Sequence, residues 1–259
     1  MGRFGHQWRL GKRYVQIIAD VIDVGTVRGP RDLLRVLARA TWSTMGVDLK
    51  CGRHVFARRE RFGSDYGGWW VRSDLLTPES VVYSAGVGTD ISFDLALIER
   101  FGCTVFGFDP TPVSVRWVRE AELPTRFHFV PVGVADYDGV ASFALRSNPK
   151  WTSYEMNVST VGAFDVAQLE VRRVASLMRE LGHGRIDVLK LDVEGAELDV
   201  IVDVINSGVE VPQLLVEFHH RRGDRRSLAA SQAVVDAVLR TGYRVFARSP
   251  GGREVSFTK

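Results

Sequence analysis

Residues 81–110, VVYSAGVGTDISFDLALIERFGCTVFGFDP, constrain this chain more than any other stretch. A short apolar run, 81–83, leads straight into Gly86-Val87-Gly88. Helical periodicity over 91–100 follows, and a second apolar run, 103–108, ends on Asp109. Strand, glycine loop, helix, strand and acid, in that order, build half of a nucleotide-type pocket. Lacking side chains, Gly86 and Gly88 let backbone approach a ligand. A carboxylate ending the second strand can accept from both hydroxyls of a ribose. The stretch therefore predicts an adenosine-containing ligand. The competing readings are a plain tight turn at the glycines and, for Asp109, a cap on a helix that Asp109-Pro110-Thr111 would start.

From residue 81 onward strands and helices alternate. Apolar runs at 81–83, 104–108, 127–132, 187–191 and 213–218 read as strands, and segments at 91–100, 112–120, 171–181, 196–206 and 227–241 as helices. Such alternation predicts an α/β fold, a doubly wound, mostly parallel sheet with helices on both faces. Asp138-Gly139 is a hairpin signal, so an extra strand is expected at 141–145. Pro250-Gly251-Gly252 separates runs at 244–248 and 254–257, which predicts a terminal β-hairpin and an antiparallel last strand. Ahead of the glycine loop, 14–24 and 31–45 read as helices. In the second, Leu33, Leu34, Val36, Leu37 and Trp42 share one broad face and Arg31, Arg35 and Arg39 lie on another. Residues 54–58 and 69–72 read as short strands around a loop at 63–68.

Leu189-Lys190-Leu191-Asp192-Val193-Glu194-Gly195-Ala196-Glu197 resembles the LKxDVEGxE signature of the FkbM-type methyltransferases. Gly63-Ser64-Asp65-Tyr66-Gly67-Gly68-Trp69 resembles the segment these proteins carry before the first sheet strand. Gly133-Val134-Ala135-Asp136, followed by Asp138-Gly139, resembles the segment after their third strand. The resemblance covers roughly residues 60–259, and the first 50 residues match no signature. It implies a Rossmann-like class I methyltransferase fold with a seven-stranded sheet. The methyl donor would be S-adenosylmethionine, and the acceptor a hydroxyl on a sugar or natural product. Residues 1–50 are then a basic helical extension and 51–259 the methyltransferase domain. One position departs from the pattern. The class I loop usually opens Asp/Glu-x-Gly-x-Gly, and Ser84 stands at the acid position here, with Asp90 at the third glycine of the longer pattern. Asp90 or Asp65 would have to supply the missing charge for the donor's ammonium group. Ser84 still offers a hydroxyl, Thr89 can bond the donor carboxylate, and Tyr66 of the preceding segment completes the donor-side set. Asp136 would face the adenine amine.

On the acceptor side, Asp192 ends the fourth strand beside the first, where the strand order reverses and ligands sit. It could favour the sulfonium electrostatically or accept the hydroxyl proton. Glu194 opens the next helix, where a negative charge also complements the helix dipole. An inward Lys190 needs a partner, and Glu217 is the natural one. Glu217 and His219 point the same way at the end of the fifth strand. An imidazole titrating near neutral pH suits proton removal, and the Asp/Glu/His set could instead hold a divalent cation that lowers an alcohol's pKa. His220 follows at the loop. Trp151 and Tyr154 lie in a long aperiodic stretch of the kind that forms acceptor-binding loops. These residues suit an O-methyltransferase, and the resemblance implies that its acceptor is a sugar hydroxyl in a glycolipid, glycan or secondary metabolite. The rival reading is a non-catalytic module that kept the fold and binds a membrane or protein partner through its basic front end.

Composition narrows the setting. The chain has 259 residues, 45% hydrophobic and 25% charged, an ordinary globular balance. No apolar run reaches the ~18 residues that span a bilayer, and the N-terminus lacks a signal-peptide core. Cys51 and Cys103 make neither a disulfide framework nor a zinc site. A cytoplasmic setting is expected. The net charge of +3 is uneven: residues 1–72 carry 14 Lys/Arg against 6 Asp/Glu, and residues 73–259 carry 20 against 25. A basic front end suits peripheral contact with anionic lipid or a charged substrate. No recognisable nucleic-acid module accompanies it, so nucleic acid is not an expected partner.

Overall fold

The computed structural model describes residues 24–52, 54–55, 57–145, 154–156, 166–220 and 223–259. Its middle layer is a seven-stranded sheet of β1 (Val81–Ala85), β2 (Thr104–Phe108), β3 (Phe127–Val130), β4 (Val188–Leu191), β5 (Gln213–Glu217), β6 (Arg244–Arg248) and β7 (Glu254–Thr258), in the order β6-β7-β5-β4-β1-β2-β3. Strands β1 to β5 run parallel, and β7 lies antiparallel between β5 and β6. This is the class I methyltransferase arrangement that the terminal hairpin predicted. The chain order reverses between β1 and β4, which opens a crevice at their carboxyl ends.

Helices cover both faces: α1 (Pro30–Thr44), α2 (Ser92–Phe101), α3 (Pro112–Glu120), α4 (Val174–Glu180), α5 (Glu197–Asn206) and α6 (Arg225–Arg240). Strand alternation splits the core into two layers. Tyr83, Leu189, Leu214, Val216 and Phe257 pack with Val200 of α5 and Val235 of α6. Val82, Val105, Val188 and Leu215 pack with Phe93 and Leu97 of α2. Strands sandwiched this way are buried on both sides, which explains the unbroken apolar runs in the sequence. Local signals set the helix ends. Gly102 closes α2 in the left-handed conformation, its N–H bonding the Ile98 carbonyl. Thr111, not Asp109, caps α3, its hydroxyl accepting from the Ser114 N–H ahead of Pro112.

Three expectations are corrected. The stretch expected to be aperiodic contributes to a second sheet, in which Gly139–Leu145 pairs with Tyr154–Met156 and Val166–Arg172, and Val166–Arg172 also pairs with Gly133–Val134. Val166–Arg172 turns Ala167, Leu169 and Val171 inward and Val166, Gln168 and Glu170 outward, with Val171 alone fully buried, and α4 begins at Val174 rather than 171. The strand expected at 54–58 is displaced to Glu60–Phe62, which pairs antiparallel with Trp69–Val71. Helix α1 buries a different stripe from the one expected, although Val36 is buried and Arg31 and Arg35 are exposed as its periodicity predicts. Val36, Arg39 and Ser43 are buried, while Leu33, Leu34 and Leu37 are exposed. The buried guanidinium is tolerated because Asp48 and the Ser249 carbonyl accept from it. The helix expected at 14–24 falls almost wholly outside the described residues, and the described chain opens on a single helical turn at Val24–Thr26.

Candidate active site

A cleft opens at the carboxyl ends of β1, β2 and β4, with about 1030 Å³ of empty space counting its solvent-open mouth. Gly86 forms its floor. With φ of +81°, it lies so close to β4 that a Cβ would stand 1.8 Å from the Asp192 carbonyl oxygen. Only glycine fits there, for packing as much as for ligand approach. Gly88 has φ of +55° and open space around it, and its N–H donates to Asp109 Oδ2 at 2.9 Å. Asp109 also accepts through Oδ1 from the Thr111 N–H at 2.9 Å. The carboxylate is 7% exposed, lines the cavity at the end of β2 and ties the glycine loop to the start of α3. Lone pairs remain for a ligand hydroxyl. Phe108, Pro110, Val134 and Phe143 make the adjoining wall apolar.

The charge missing at Ser84 is redistributed. Ser84 is wholly buried, off the cavity wall, and sits opposite Lys190 in the β1–β4 register beside Asp94. Asp94 is a fully buried carboxyl that burial pushes up to about 6, against the pull of Lys190. Lys190 does not pair with Glu217. Its Nζ donates to the Gly86 carbonyl at 2.8 Å, lies 3.8 Å from Asp192 Oδ2 and faces the Trp69 ring. The reason is register: Lys190 stands level with Ser84 and Leu215, one step short of the ends of β4 and β1 but two short of Glu217, so its stem reaches the glycine loop first. Asp90 lines the cavity, accepting from the Ser64 hydroxyl at 2.6 Å and the Ser92 N–H at 2.9 Å. Burial opposes its ionisation, but those hydrogen bonds and the charge of Lys190 hold it below the usual carboxylate range. Asp65 points away, fully exposed and paired with Arg28. The 63–68 loop reaches the site through Ser64, Gly67 and Tyr66. A Cβ on Gly67 would meet Asp90 Oδ2 at 2.7 Å, and Tyr66 stands at the cavity mouth.

Around the Asp192 edge, four carboxylates converge on one imidazole. His219 Nε2 lies 3.7 Å from Asp192, 3.3 Å from Glu194 and 3.6 Å from Glu217, and Nδ1 lies 3.5 Å from Glu197. Asp192, Thr89 and Glu194 line the cavity, with Glu217 and His219 behind them. Glu194 adopts φ of +46°, a strained conformation for a residue with a side chain, which swings its carboxylate back toward His219. Glu197 is the residue that sequence reasoning passed over, although it closes the LKLDVEGAE motif. It is 2% exposed and accepts from the His219 and Gly195 N–H groups at 2.8 Å each. Burial pulls the His219 imidazole down, but Glu197, then Glu217 and Glu194, push it up to about 9. Burial and the neighbouring Asp192 push Glu217 up to about 8. The expectation of a His219 that titrates near neutrality is therefore corrected: it is held as a cation. His220 faces a different cavity, Asp136 is exposed and off the wall, and Trp151 lies outside the described residues. Tyr154 is placed only as a strand residue opposite Leu145.

These shifts fix a pH dependence. The His219 contribution to stability is complete below its ordinary 6.5 and is lost as pH rises through 9. Glu217 ionises in the unfolded chain near 4.5 but resists ionisation in the fold until about 8, so it too favours folding less as pH rises. Stability should fall between about pH 5 and pH 9, by an amount on the order of a few kcal/mol. Denaturant midpoints across that window test this, and a flat or rising profile contradicts the cluster.

The Methyltransferase FkbM domain model matches residues 83–245. The chain is 28% identical over 141 residues to the probable methyltransferase-like protein 24 of Homo sapiens, covering 53% of this chain and 32% of that protein. It is 35% identical over 213 residues to the AMB antimetabolite synthetase AmbE of Pseudomonas aeruginosa, covering 67% of this chain and 10% of that protein. The chain thus spans a third or less of these relatives' lengths. Among solved structures, Aeropyrum pernix fibrillarin with natively bound S-adenosyl-L-methionine aligns at a TM-score of 0.39 and 8% identity, covering 73% of this chain and 68% of that one. A likeness that distant carries no argument, and the fold rests on the strand order. The matched region runs from β1 into β6 and holds both the LKLDVEGAE motif and Asp90, Asp109 and Asp192, so the chain belongs to the FkbM family of S-adenosylmethionine-dependent methyltransferases.

Proposed function

We propose that this protein transfers a methyl group from S-adenosylmethionine to a hydroxyl, that of a sugar in a glycan, glycolipid or secondary metabolite. The observation that carries this reading is Asp192: a carboxylate on the cavity wall, backed by a cationic His219 and a neutral Glu217. Bound S-adenosylmethionine would supply an activated methyl: the acceptor oxygen takes it while the S–CH3 bond breaks and the sulfonium departs as a neutral thioether. The remaining tasks are alignment and proton removal. Asp109 would take a ribose hydroxyl, the Phe108–Val134 side of the wall the adenine, Asp90 the donor's ammonium, and Lys190 with Thr89 its carboxylate. Asp192 would accept the acceptor's proton, with His219 and Glu217 holding its charge in place. A neutral Glu217 can donate to Asp192 rather than repel it. Asp192, Glu217 and His219 also offer ligand atoms that all lie within 4.8 Å of one another. A divalent cation would take that set only by displacing the protons from His219 and Glu217, and would then lower the acceptor hydroxyl's pKa.

Calorimetry with S-adenosylmethionine, followed by transfer from radiolabelled donor to glycan and glycolipid fractions, tests the proposal. Asp109→Ala should weaken donor binding about tenfold or more, the worth of a charge-assisted hydrogen bond. Unchanged affinity would misplace the pocket. Tight donor binding with no labelled product would favour the non-catalytic alternative. EDTA treatment separates the cation from the Asp192 base: activity that survives it excludes the metal.

A further inference from the structure

A second cavity, with about 650 Å³ of empty space counting its solvent-open mouth, lies between the end of α1, the start of α6 and the β6–β7 turn. Arginines dominate its charge: Arg39 from α1, Arg225 from α6 and Arg253 from the hairpin. Two carboxylates also line it, and both are engaged. Asp48 is shared by two buried guanidiniums, accepting from Arg39 Nε at 3.2 Å and Arg248 Nη2 at 2.8 Å. Asp224 caps α6, accepting from the Arg226 N–H at 2.9 Å and the Ser227 N–H at 3.3 Å. Positive charge is therefore in excess. Arg39 is 3% exposed. Its Nε and Nη1 are satisfied, the latter by the Ser249 carbonyl at 2.6 Å, but its buried Nη2 meets no hydrogen-bond acceptor among the described residues. The buried Nδ1 of His220, also lining this cavity, meets none either. A buried guanidinium with an idle donor is costly unless something supplies the acceptor. The first turn of the 16-residue α6 adds its positive dipole end.

The neighbouring surface is apolar. Leu33, Leu34 and Leu37 of α1 are 43%, 67% and 49% exposed, and Met45 and Val47 just beyond it 71% and 42%. Trp42 and Val47 carry that surface to the cavity, where Leu228 joins them. Sequence periodicity would bury these leucines; the fold buries Arg39 instead. Apolar side chains facing outward beside an arginine-lined cavity match the two halves of a phospholipid, acyl chain and phosphate.

We infer that this cavity binds the phosphoryl group of an anionic membrane lipid, with the exposed leucines of α1 resting in the acyl boundary. No helix among the described residues is long and apolar enough to cross a membrane, so the contact is peripheral. It would bring the front of the protein to a bilayer without requiring that the acceptor be lipid-linked, and it stands independently of the acceptor proposed above.

Pelleting the full chain with phosphatidylcholine vesicles, with and without phosphatidylglycerol, tests this. Binding should require phosphatidylglycerol. Arg225→Gln and Arg253→Gln alter exposed side chains, and each should weaken binding about fivefold. Leu34→Glu should weaken it while leaving the response to free phosphate intact. S-adenosylmethionine affinity should be unchanged in all three variants, which separates this site from the donor cavity. Equal binding to both vesicle types overturns the inference, as does binding that the arginine substitutions leave unmoved. If inorganic phosphate binds in calorimetry but no vesicle does, the cavity takes a soluble phosphate and the membrane assignment falls.

Discussion

Alanine at Gly86 should cost the fold about 3 kcal/mol or more and remove measurable donor binding. Two independent penalties meet there. The φ of +81° is unfavourable for any residue with a Cβ, and that Cβ would stand 1.8 Å from a backbone oxygen of Asp192, a contact no rotamer change can relieve. Relief would have to come from moving the end of β4 away from β1, at the point where Asp192 meets the cavity. Gly88→Ala is the matched control. Its φ of +55° carries the conformational penalty alone, about 1–2 kcal/mol, because nothing lies within 4 Å. Denaturant unfolding of the two variants gives the comparison. If they are equally stable, the close approach of β1 and β4 is not what this geometry says.

The second large effect belongs to Glu197. Glu197→Gln keeps the shape but removes the charge that holds His219. The carboxylate accepts from two backbone N–H groups and stands 3.5 Å from Nδ1, all out of solvent. Loss of one partner from a buried pair costs about 3 kcal/mol. The diagnostic sign is on the histidine. Its pKa should fall from about 9 toward the ordinary 6.5, read from the imidazole resonance across a pH titration. A neutral His219 no longer offsets Asp192 and Glu194, so the pH range of any transferase activity should shift along with it. Glu197 acts through His219 and is a positioning residue. A His219 that titrates unchanged in the variant would give Glu197 a purely structural role.

Much of the fold was written in local pattern. The 104–108 and 112–120 boundaries hold to the residue, because Pro112 and a strand of alternating burial leave little choice. The terminal hairpin was equally plain, since Pro250-Gly251-Gly252 permits little else. Val166–Arg172 alternates apolar and polar residues from Ala167 to Arg172, and its burial alternates with them, but the helical segment read at 171–181 overlaps its end and masks the strand. Helix α1 was misjudged for a physical reason. Periodicity ranks side chains by hydropathy, but the space beneath α1 holds the Asp48 carboxylate and the Ser249 carbonyl of the hairpin, which suit a guanidinium and not a leucine. In the candidate site Asp90, Asp109, Asp192 and Lys190 meet at one cavity, with partners other than those expected. Lys190 reaches the Gly86 carbonyl rather than Glu217, and Ser64 rather than Asp65 meets Asp90.

By itself the sequence determined the layered sheet, the glycine loop, the acid ending β2 and the family, because each is carried by contiguous residues whose local chemistry admits few conformations. Tertiary structure decided the electrostatics. The proton on His219, the displacement of charge from Ser84 to Asp90 and Asp94, and the burial of Arg39 depend on which residues meet across strands tens to hundreds of positions apart. Protonation depends on burial and on neighbouring charge, and neither exists until the chain has closed around them.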